Sequence, residues 1–466
     1  MTQSHPSLAD PRRGVEERLT KMRPLPRDAI PMIGRDQVPP GSRLPFPLQT
    51  LLFFRYRHRF IPWLHRRYGD TFTVRLAPAS RAMVMLRRPE DIKAVFAGDP
   101  HEFHAGQGNA ILGPVMGEHS LLLTDEDQHL RARKLLMPAF NGAALRRYQG
   151  LVREIAGTEA ESWRDGATVP GLRRMNTVTL EIILRVVFGV TDETRLARLR
   201  PRVNRTVDIR PWMLLGWIYP QIQRIRPWRA FTDNMVELDR LLYAEIAERR
   251  VASDLADRDD VLSRLLQVGG GHDDETAPLT DAELRDQLVT LLLAGHETTA
   301  SALSWSLYEL GHDPARLRQA QTAADDGDDD YLEAVVKEAL RLHPVIPIVN
   351  RALMTPQRIA GWDLPAGAVV APSILLAHAS AESFPEPRRF RPERFLEGHV
   401  PANTWIPFGG GIRRCLGAGF SLMEGVTVLG EVLSRWHVES QRVEKPRTRN
   451  ITSIPAGDAR LTVRRR

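Results

Sequence analysis

The chain has 466 residues and a formal net charge of +7 at pH 7, from 64 lysines and arginines against 57 acidic residues. A chain of this length can bury a large core together with a cofactor, and its one cysteine excludes an internal disulfide framework. The basic residues are almost all arginines and are scattered, with no compact run interleaved with aromatic side chains. Nucleic-acid binding is therefore not expected.

The distribution of apolar residues argues against membrane insertion and export. No stretch approaches the ~18 consecutive apolar residues of a membrane span. Residues 1–30 are polar, basic and rich in proline, without the apolar core of a signal peptide. We therefore expect a cytoplasmic protein with no integral membrane segment.

The first part of the chain alternates irregular and regular segments. Residues 1–45 carry many prolines and predict an irregular arm. Residues 70–89 contain two β-rich runs joined by a turn-like APAS segment, which predicts a hairpin. Residues 89–98 begin with proline and acids and end with glycine, as a short helix does. The four glycines within 104–124 predict a long loop, and such loops are usually functional.

Helical spacing of apolar residues dominates from 125 to 340. The predicted helices cover 126–137, 143–164, 172–189, 229–252, 258–267, 281–311, 314–323 and 329–342. The segment 281–311 would be roughly 45 Å long at the helical rise per residue, and its apolar middle predicts a path through the interior.

Proline-rich turns and short strands follow residue 343, and one more helix is expected over 416–435. The sequence shows no internal repeat and no linker that divides the chain. The predicted fold class is therefore mainly α (α+β), with a single domain over residues 46–466 after the arm.

The only cysteine, Cys415, lies in the segment FGGGIRRCLG, which runs from Phe408 to Gly417. A lone buried cysteine is most often inert packing. Here three glycines allow a tight loop around a large flat ligand, and Arg413 and Arg414 favour the metal-binding thiolate. A helix beginning after this segment would direct free N–H groups at the sulfur. One sulfur is too few for zinc or an iron–sulfur cluster, but it suffices for iron held in a macrocycle, which is haem.

The same segment resembles the F-x-x-G-x-R-x-C-x-G signature of the cytochrome P450 monooxygenases, at Phe408, Gly411, Arg413, Cys415 and Gly417. The resemblance implies that family's fold, a large helical domain with a smaller β-rich region and a buried haem b. Cys415 would be the axial iron ligand, whose thiolate pushes electron density toward oxygen and favours O–O cleavage. Phe408, Arg413 and Gly417 would bind the cofactor.

A second motif, AGHETT, covers Ala294–Thr299 in the middle of the long apolar helix. Its apolar flanks disfavour an ordinary helix with a solvated face, and alanine at position 300 excludes a zinc site of the H-E-x-x-H type. Gly295 costs a helix interior ~1 kcal/mol relative to alanine, which suggests close approach of a ligand. By resemblance this is the oxygen-activation motif, in which Thr298 would hydrogen-bond the distal oxygen and Glu297 would join a proton relay.

A third motif pairs Glu338 with Arg341, which lie three residues apart on one helix face. A surface pair would contribute little to stability. The neighbouring valines and leucines predict partial burial, where an ion pair needs further hydrogen-bond partners. The family pattern supplies Arg394 from the segment PERF. We interpret this trio as structural support for the haem-binding core.

The remaining site residues are implied by the resemblance alone. Two haem propionates need cationic partners inside a protein, and the candidates are His129, Arg133, Arg351 and Arg413. Family topology places the substrate pocket along the loop 104–124 and the region 205–225, with Ala294, Thr298, Ile346 and Val349. The apolar run 211–220 fits a pocket lid, internal packing or a contact with a membrane surface.

These features together predict a haem-dependent monooxygenase. It would insert one atom of O2 into a lipophilic small molecule such as a fatty acid, terpenoid, steroid or polyketide, with electrons from a separate ferredoxin and ferredoxin reductase. A haem-thiolate isomerase, dehydratase or peroxygenase remains an alternative, although the intact Glu297 and Thr298 argue against it. A non-catalytic haem sensor is a third possibility.

Overall fold

A computed structural model describes residues 11–21, 31–77, 80–189, 192–207, 224–267, 277–398, 400–449 and 451–466. The described residues group into two compact units, each assembled from separate parts of the chain. The first draws on the segments 1–31, 104–139 and 183–294, and the second on 32–103, 140–182 and 295–466. The division into an arm over 1–45 and a single domain over 46–466 stays a prediction.

Helices account for most of the described secondary structure. In the first half of the chain they are α1 (Pro11–Lys21), α2 (Phe46–Tyr68), α3 (Pro89–Phe96), α4 (Ala105–Gly108), α5 (Gly113–Met116), α6 (Glu126–Leu136), α7 (Gly142–Glu161), α8 (Gly171–Phe188) and α9 (Glu193–Val207). The second half contains α10 (Trp228–Arg250), α11 (Val261–Gln267), α12 (Asp281–Gly295), α13 (Glu297–His312), α14 (Pro314–Asp326), α15 (Asp329–Leu342), α16 (Ile374–Ala377) and α17 (Ala418–Leu433).

The strands are short and lie almost entirely in the second unit. They are β1 (Thr71–Leu76), β2 (Arg81–Leu86), β3 (Phe103–His104), β4 (Thr168–Pro170), β5 (Arg351–Leu353), β6 (Gln357–Ile359), β7 (Trp362–Leu364), β8 (Val369–Pro372), β9 (Trp436–Glu439), β10 (Pro446–Arg449), β11 (Thr452–Pro455) and β12 (Arg460–Arg465). The predicted mainly α (α+β) fold class is confirmed.

The largest sheet has the strand order β1-β2-β8-β5-β3. The predicted hairpin over 70–89 is present, because β1 and β2 pair antiparallel with Phe72 opposite Met85. Strand β8 then joins β2 in parallel. Helix α2 covers this sheet with Phe53, Phe60 and Leu64, which share one hydrophobic cluster with Phe72. The remaining strands form the sheets β4-β12-β9, β10-β11 and β6-β7.

The predicted single helix over 281–311 is wrong, because the segment is divided between α12 and α13. The interruption lies at His296, whose carbonyl accepts hydrogen bonds from the Thr179 hydroxyl at 3.0 Å and from the Ala300 amide at 3.0 Å. The Thr299 hydroxyl also lies 3.5 Å from the Gly295 carbonyl, and such back-bonding by threonine bends helices. These polar bonds accompany an interruption that the apolar pattern alone does not indicate.

The predicted loop over 104–124 also needs correction, since it contains the short helices α4 and α5 and a 3-10 turn at Ala110–Leu112. The expectation of an irregular structure throughout 1–45 is wrong, because α1 lies within that segment. The sequence pattern also predicts neither α2 nor α9. Among the described helices, none combines the length and the apolar character needed to cross a membrane.

A buried charge cluster organises the first unit. Arg285 is 0% exposed, and its Nε lies 2.8 Å from the Asp239 carboxylate while its Nη1 lies 2.8 Å from Asp286. Arg18 of α1 approaches the same Asp239 at 2.9 Å. The two cations hold the pKa of Asp239 below its ordinary value, although burial opposes them. The cluster therefore ties α1 and α12 to α10 within this unit.

Candidate active site

The segment that carries Cys415 is a tight loop pressed against the end of α3. Gly409 and Gly411 have φ angles of +67° and +63°, in the left-handed region that favours glycine. A Cβ on Gly410 would lie 2.2 Å from the Phe96 ring, and one on Gly411 would lie 2.1 Å from the Phe96 carbonyl oxygen. The glycines are therefore required by contact as well as by backbone conformation.

Cys415 lies near the C-terminal end of this loop. The Cys415 amide donates to the Phe408 carbonyl at 2.8 Å, which closes the loop, and the Cys415 side chain is exposed. Helix α17 begins at Ala418, and the Ser421 amide donates to the Gly417 carbonyl at 2.8 Å in its first turn. A helix N-terminus so close to the sulfur places partial positive charge beside it and favours the thiolate.

Apolar side chains surround the loop on the second unit. Phe408 packs edge to face on Trp405, with ring centroids 5.9 Å apart. The Val349 Cγ1 lies 3.7 Å from the position of a Cβ on Gly409. Ile346 and Val349 are partly buried and pack on the cluster that contains Phe96 and Ile406. The structure thus brings both predicted pocket residues of this segment next to the cysteine loop.

Glu297 begins α13 and is 3% exposed. Its Oε1 lies 3.4 Å from the Arg449 Nε and accepts a hydrogen bond from the Thr452 hydroxyl at 3.3 Å. The next residue, Thr298, is partly exposed. A buried carboxylate needs such partners to offset the cost of its desolvation, and Arg449 and Thr452 supply them for Glu297.

The predicted structural trio forms a buried network. The Arg341 Nε lies 2.7 Å from Glu338 Oε2, and the Arg394 Nε lies 3.0 Å from Glu338 Oε1. Glu338 and Arg341 are 0% and 1% exposed. The Arg341 guanidinium also donates to the carbonyls of His378, Pro387 and Arg389. These bonds fix the chain that leads toward the cysteine loop.

The predicted cationic residues are distributed over both units. His129 and Arg133 lie on α6 of the first unit, where His129 is buried and Arg133 is partly buried; Ala294 belongs to the same unit and is exposed. Arg351 begins β5 in the second unit, and its Nη1 donates to the Asn350 carbonyl at 2.8 Å. Arg413 ends a 3-10 turn two residues before Cys415. Most of the predicted pocket region 205–225, including the run 211–220, lies outside the described residues.

No sequence motif indicates Glu424, which is 1% exposed on α17. Neither of its carboxylate oxygens has a hydrogen-bond partner among the described residues. Burial raises its pKa well above the ordinary value, and the nearby Thr299 hydroxyl offsets only part of this rise. Thr299 in turn lies 3.1 Å from the Ser421 hydroxyl. A single acid within the apolar run LMEGVTVL was the signal that could have found it.

This burial gives a testable pH dependence. A carboxyl whose pKa is higher in the folded than in the unfolded protein stabilises the fold at low pH, and the stability falls as pH rises above the unfolded pKa. The ordinary value for Glu424 is 4.5. In the parent protein, the free energy of unfolding should therefore fall by up to about 1.4 kcal/mol for each pH unit above that value. We expect Glu424→Gln, whose side chain does not ionise, to lack this fall. Urea unfolding between pH 5 and pH 8 measures the difference.

The matched control for this variant is Glu382→Gln, since the Glu382 side chain is 86% exposed. Its unfolding free energy should follow that of the parent protein at every pH. Parallel pH profiles for the parent and Glu424→Gln would show that Glu424 is ionised in the folded protein.

Comparison with known proteins identifies the family. The cytochrome P450 family model matches residues 39–462. The chain belongs to the cytochrome P450 family. Cytochrome P450 135A1 of Mycobacterium tuberculosis is 53% identical over 427 residues, which cover 91% of this chain and 94% of that protein. Cytochrome P450 135B1 of Mycobacterium bovis is 42% identical and covers 92% and 91%, respectively.

A solved structure shows the same fold. Retinoic acid bound cyanobacterial CYP120A1 superimposes with a TM-score of 0.80 over 92% of this chain and 99% of that one, at 23% sequence identity. The predicted P450 fold, the haem b cofactor and the monooxygenase class are confirmed by the family membership.

The residues present fit this cofactor. Haem iron needs one protein sulfur ligand in this family, and the chain has one cysteine, exposed at the end of a glycine loop. In the part of the chain that the structure describes, no group of three or more His, Cys, Asp or Glu residues could hold a metal ion. The donor set therefore suits an iron that the porphyrin already coordinates.

Proposed function

We propose that this P450 inserts one atom of O2 into a lipophilic small molecule, with electrons delivered by a separate ferredoxin and its reductase in the cytoplasm. The observation that carries the proposal is the pairing of a buried, Arg449-linked Glu297 with Thr298 at the start of α13. A P450 that reacts with peroxide or isomerises its substrate has no need of protons delivered to dioxygen. Fatty acids, terpenoids, steroids and polyketides are the substrate classes we propose.

Each of the proposed site residues has a separate role. Cys415 would hold haem, which supplies the redox chemistry that cleaves O2. His129, Arg133, Arg351 and Arg413 would neutralise the propionates. Phe408 and Gly417 would shape the loop that faces the porphyrin, and Ile346, Val349 and Ala294 would contribute apolar surface for the substrate. Their grouping by role follows the family resemblance.

Proton transfer is assigned to two side chains. The Thr298 hydroxyl would donate a hydrogen bond toward the reacting oxygen. The Glu297 carboxylate would take a proton from water and pass it to the Thr298 hydroxyl. Arg449 is partly exposed, with 27% of its side chain accessible, so its ion pair with Glu297 joins the buried site to solvent.

The surface beside the cysteine loop supports an acidic electron donor. Arg414 is exposed next to Cys415. Leu145 of α7 lies 3.1 Å from the position of a Cβ on Gly419, which sets the start of α7 against the start of α17. Arg146 follows on α7 and is exposed. A cationic patch at this position would attract an acidic protein such as a ferredoxin.

We expect Thr298→Ala to bind haem normally but to divert electrons to hydrogen peroxide. General acid catalysis contributes 10²–10⁴-fold, so product formed per electron should fall by at least about tenfold. Peroxide yield and product yield, measured with a fixed electron supply, test this. Thr298→Ser retains the hydroxyl and should remain coupled. Tight coupling in the alanine variant would remove Thr298 from the proton path.

The substrate class is tested by the haem absorption spectrum. A fatty acid, terpenoid, steroid or polyketide that displaces water from the haem should shift the main absorption band in a saturable manner. Turnover of such a ligand with peroxide and without an electron donor would instead favour a peroxygenase.

A further inference from the structure

Helix α2 has an unusual charge composition for a helix on a protein surface. Its 23 residues, FPLQTLLFFRYRHRFIPWLHRRY, contain five arginines and no aspartate or glutamate. Arg57 is buried and donates to the Thr448 hydroxyl and the Ile451 carbonyl, so it serves the fold. The other four arginines are exposed. The first acid after the helix, Asp70, is already paired with Arg87 and Arg88.

The same helix exposes large apolar side chains. Leu51 is 58% exposed, Tyr56 47%, Trp63 43% and Leu48 40%. The opposite face of α2 packs against the large sheet, where Phe53, Phe60, Ile61 and Leu64 are buried. The exposed residues are therefore a second apolar face, which lies on the solvent side. We call the residues Leu48, Leu51, Arg55, Tyr56, Arg59, Trp63 and Arg66 the outer face of α2.

An open groove of about 750 Å³ runs along this face. Leu52, Phe60, Pro62 and Trp63 supply its apolar wall. Trp63 is held in place by stacking on Phe60, with ring centroids 6.1 Å apart. Such a wall is suited to aliphatic chains, because the apolar groups are ordered before any ligand arrives.

Cations line the same groove. Arg59, Arg66 and Arg388 contribute to its lining, in which the described residues include no carboxylate. His58, also in the lining, is neutral at pH 7, since burial and the charge of Arg57 lower its pKa to about 4. The groove thus combines guanidinium groups, which bind phosphate in a bidentate manner, with an aromatic and aliphatic wall.

We propose that the outer face of α2 binds the surface of an anionic phospholipid membrane. Arginines would contact lipid phosphates, while Leu51, Tyr56 and Trp63 would enter the boundary between headgroups and acyl chains, where aromatic side chains are favoured. The exposed groups lie on both sides of the bend at Tyr56, whose backbone is non-helical. An acidic protein would satisfy the arginines but would not need the exposed leucines or the open apolar groove. The inference is independent of the proposed substrate.

Vesicle co-sedimentation of the haem-loaded protein tests this proposal. The protein should sediment with vesicles of phosphatidylcholine and phosphatidylglycerol at a ratio of 3:1, and only weakly with phosphatidylcholine alone. Added salt should weaken the binding, because screening shortens the range of the attraction. Absence of sedimentation with anionic vesicles, or equal sedimentation with both kinds, would overturn it.

Two double variants separate the contributions. Near an anionic surface each arginine contributes ~1 kcal/mol, so Arg59→Gln/Arg66→Gln should lower the partition coefficient by about 30-fold. Leu51→Ser/Trp63→Ser should lower it by at least about tenfold, because affinity scales with buried apolar area. The controls are Arg153→Gln and Val443→Ser, whose side chains are exposed elsewhere. They should bind as the parent does, and thermal melting verifies that every variant is folded.

Two further results would also overturn the proposal. If the variants on α2 bind vesicles as tightly as the parent, another surface contacts the membrane. If the protein binds immobilised polyglutamate but no vesicle, and Arg59→Gln/Arg66→Gln removes that binding, the outer face of α2 serves an acidic protein.

Discussion

Replacing Cys415 by serine should abolish thiolate ligation and lower monooxygenase activity by more than about a hundredfold. The thiolate pushes electron density toward oxygen and favours O–O cleavage, which an alcohol ligand cannot do. The variant should still fold, because serine is close to cysteine in size and the backbone bond that closes the loop, from the Cys415 amide to the Phe408 carbonyl, is retained. The absorption band of the reduced, carbon monoxide-bound protein measures the ligand directly.

The chain provides an internal check on this ligand, because Cys415 is its only cysteine. A thiol reagent should label the haem-free protein once, at the exposed sulfur, and should label the haem-loaded protein much more slowly. The serine variant should not be labelled in either state. Equal labelling with and without haem would show that the iron is not bound to Cys415, and the assigned axial ligand would be wrong.

Local patterns in the sequence predicted the parts of the structure that local interactions determine. The helices α6, α7, α8 and α10 lie within a few residues of their predicted bounds, because each buries an apolar stripe with helical periodicity. The cysteine loop was predictable for a similar reason. Its glycines, its cysteine and the following helix are adjacent in sequence, so their chemistry could be understood together.

Interactions between distant segments were not predictable in the same way. The interruption at His296 depends on a hydrogen bond from Thr179, and the partner of Glu297 is Arg449 on β10. Helix α2 was missed because it contains Pro62 and a non-helical Tyr56, whose φ is −133°. Its outer face also breaks the rule that a surface helix is polar toward solvent. In α2 apolar residues lie on both faces, so its apolar pattern does not indicate which face meets water.

The burial of Glu424 was not predictable from the sequence either. A carboxyl group in an apolar run is visible in the sequence, but its burial depends on how α17 packs. The structure shows both oxygens buried without a hydrogen-bond partner among the described residues. Burial raises the pKa of Glu424 and so favours its neutral form. The sequence could indicate an unusual residue, but not its protonation state.

The buried trio offers the second large effect, since Glu338 is the only carboxylate that the structure places between Arg341 and Arg394 in this described network. We expect Glu338→Leu to lower the free energy of unfolding by about 3–5 kcal/mol, because removal of one partner leaves buried cations without compensation. The Arg391 amide, which donates to Glu338 at 2.9 Å, would lose its acceptor as well. Urea unfolding of the haem-loaded protein measures the change.

A matched control lies on the same helix. Lys337 and Glu333 form a partly exposed pair on α15, with side chains 27% and 39% accessible, and ion pairs that solvent reaches contribute ~0–1 kcal/mol. Glu333→Leu should therefore change the unfolding free energy little, although it removes the same charge from the same helix. Similar losses in both variants would mean that the effect comes from helix α15 as a whole and not from the buried network.

The network should also influence haem retention, through a defined chain of contacts. Arg341 donates to the His378 carbonyl at 3.0 Å, and the His378 Nε2 accepts from the Ile406 amide at 2.9 Å, two residues before Phe408. Burial lowers the pKa of His378 to about 3, so this nitrogen remains an acceptor at neutral pH. Glu338→Leu should therefore release haem to a competing apoprotein faster than Glu333→Leu does. Unchanged haem release in a destabilised Glu338→Leu protein would confine the trio to general stability, with no specific support of the cysteine loop.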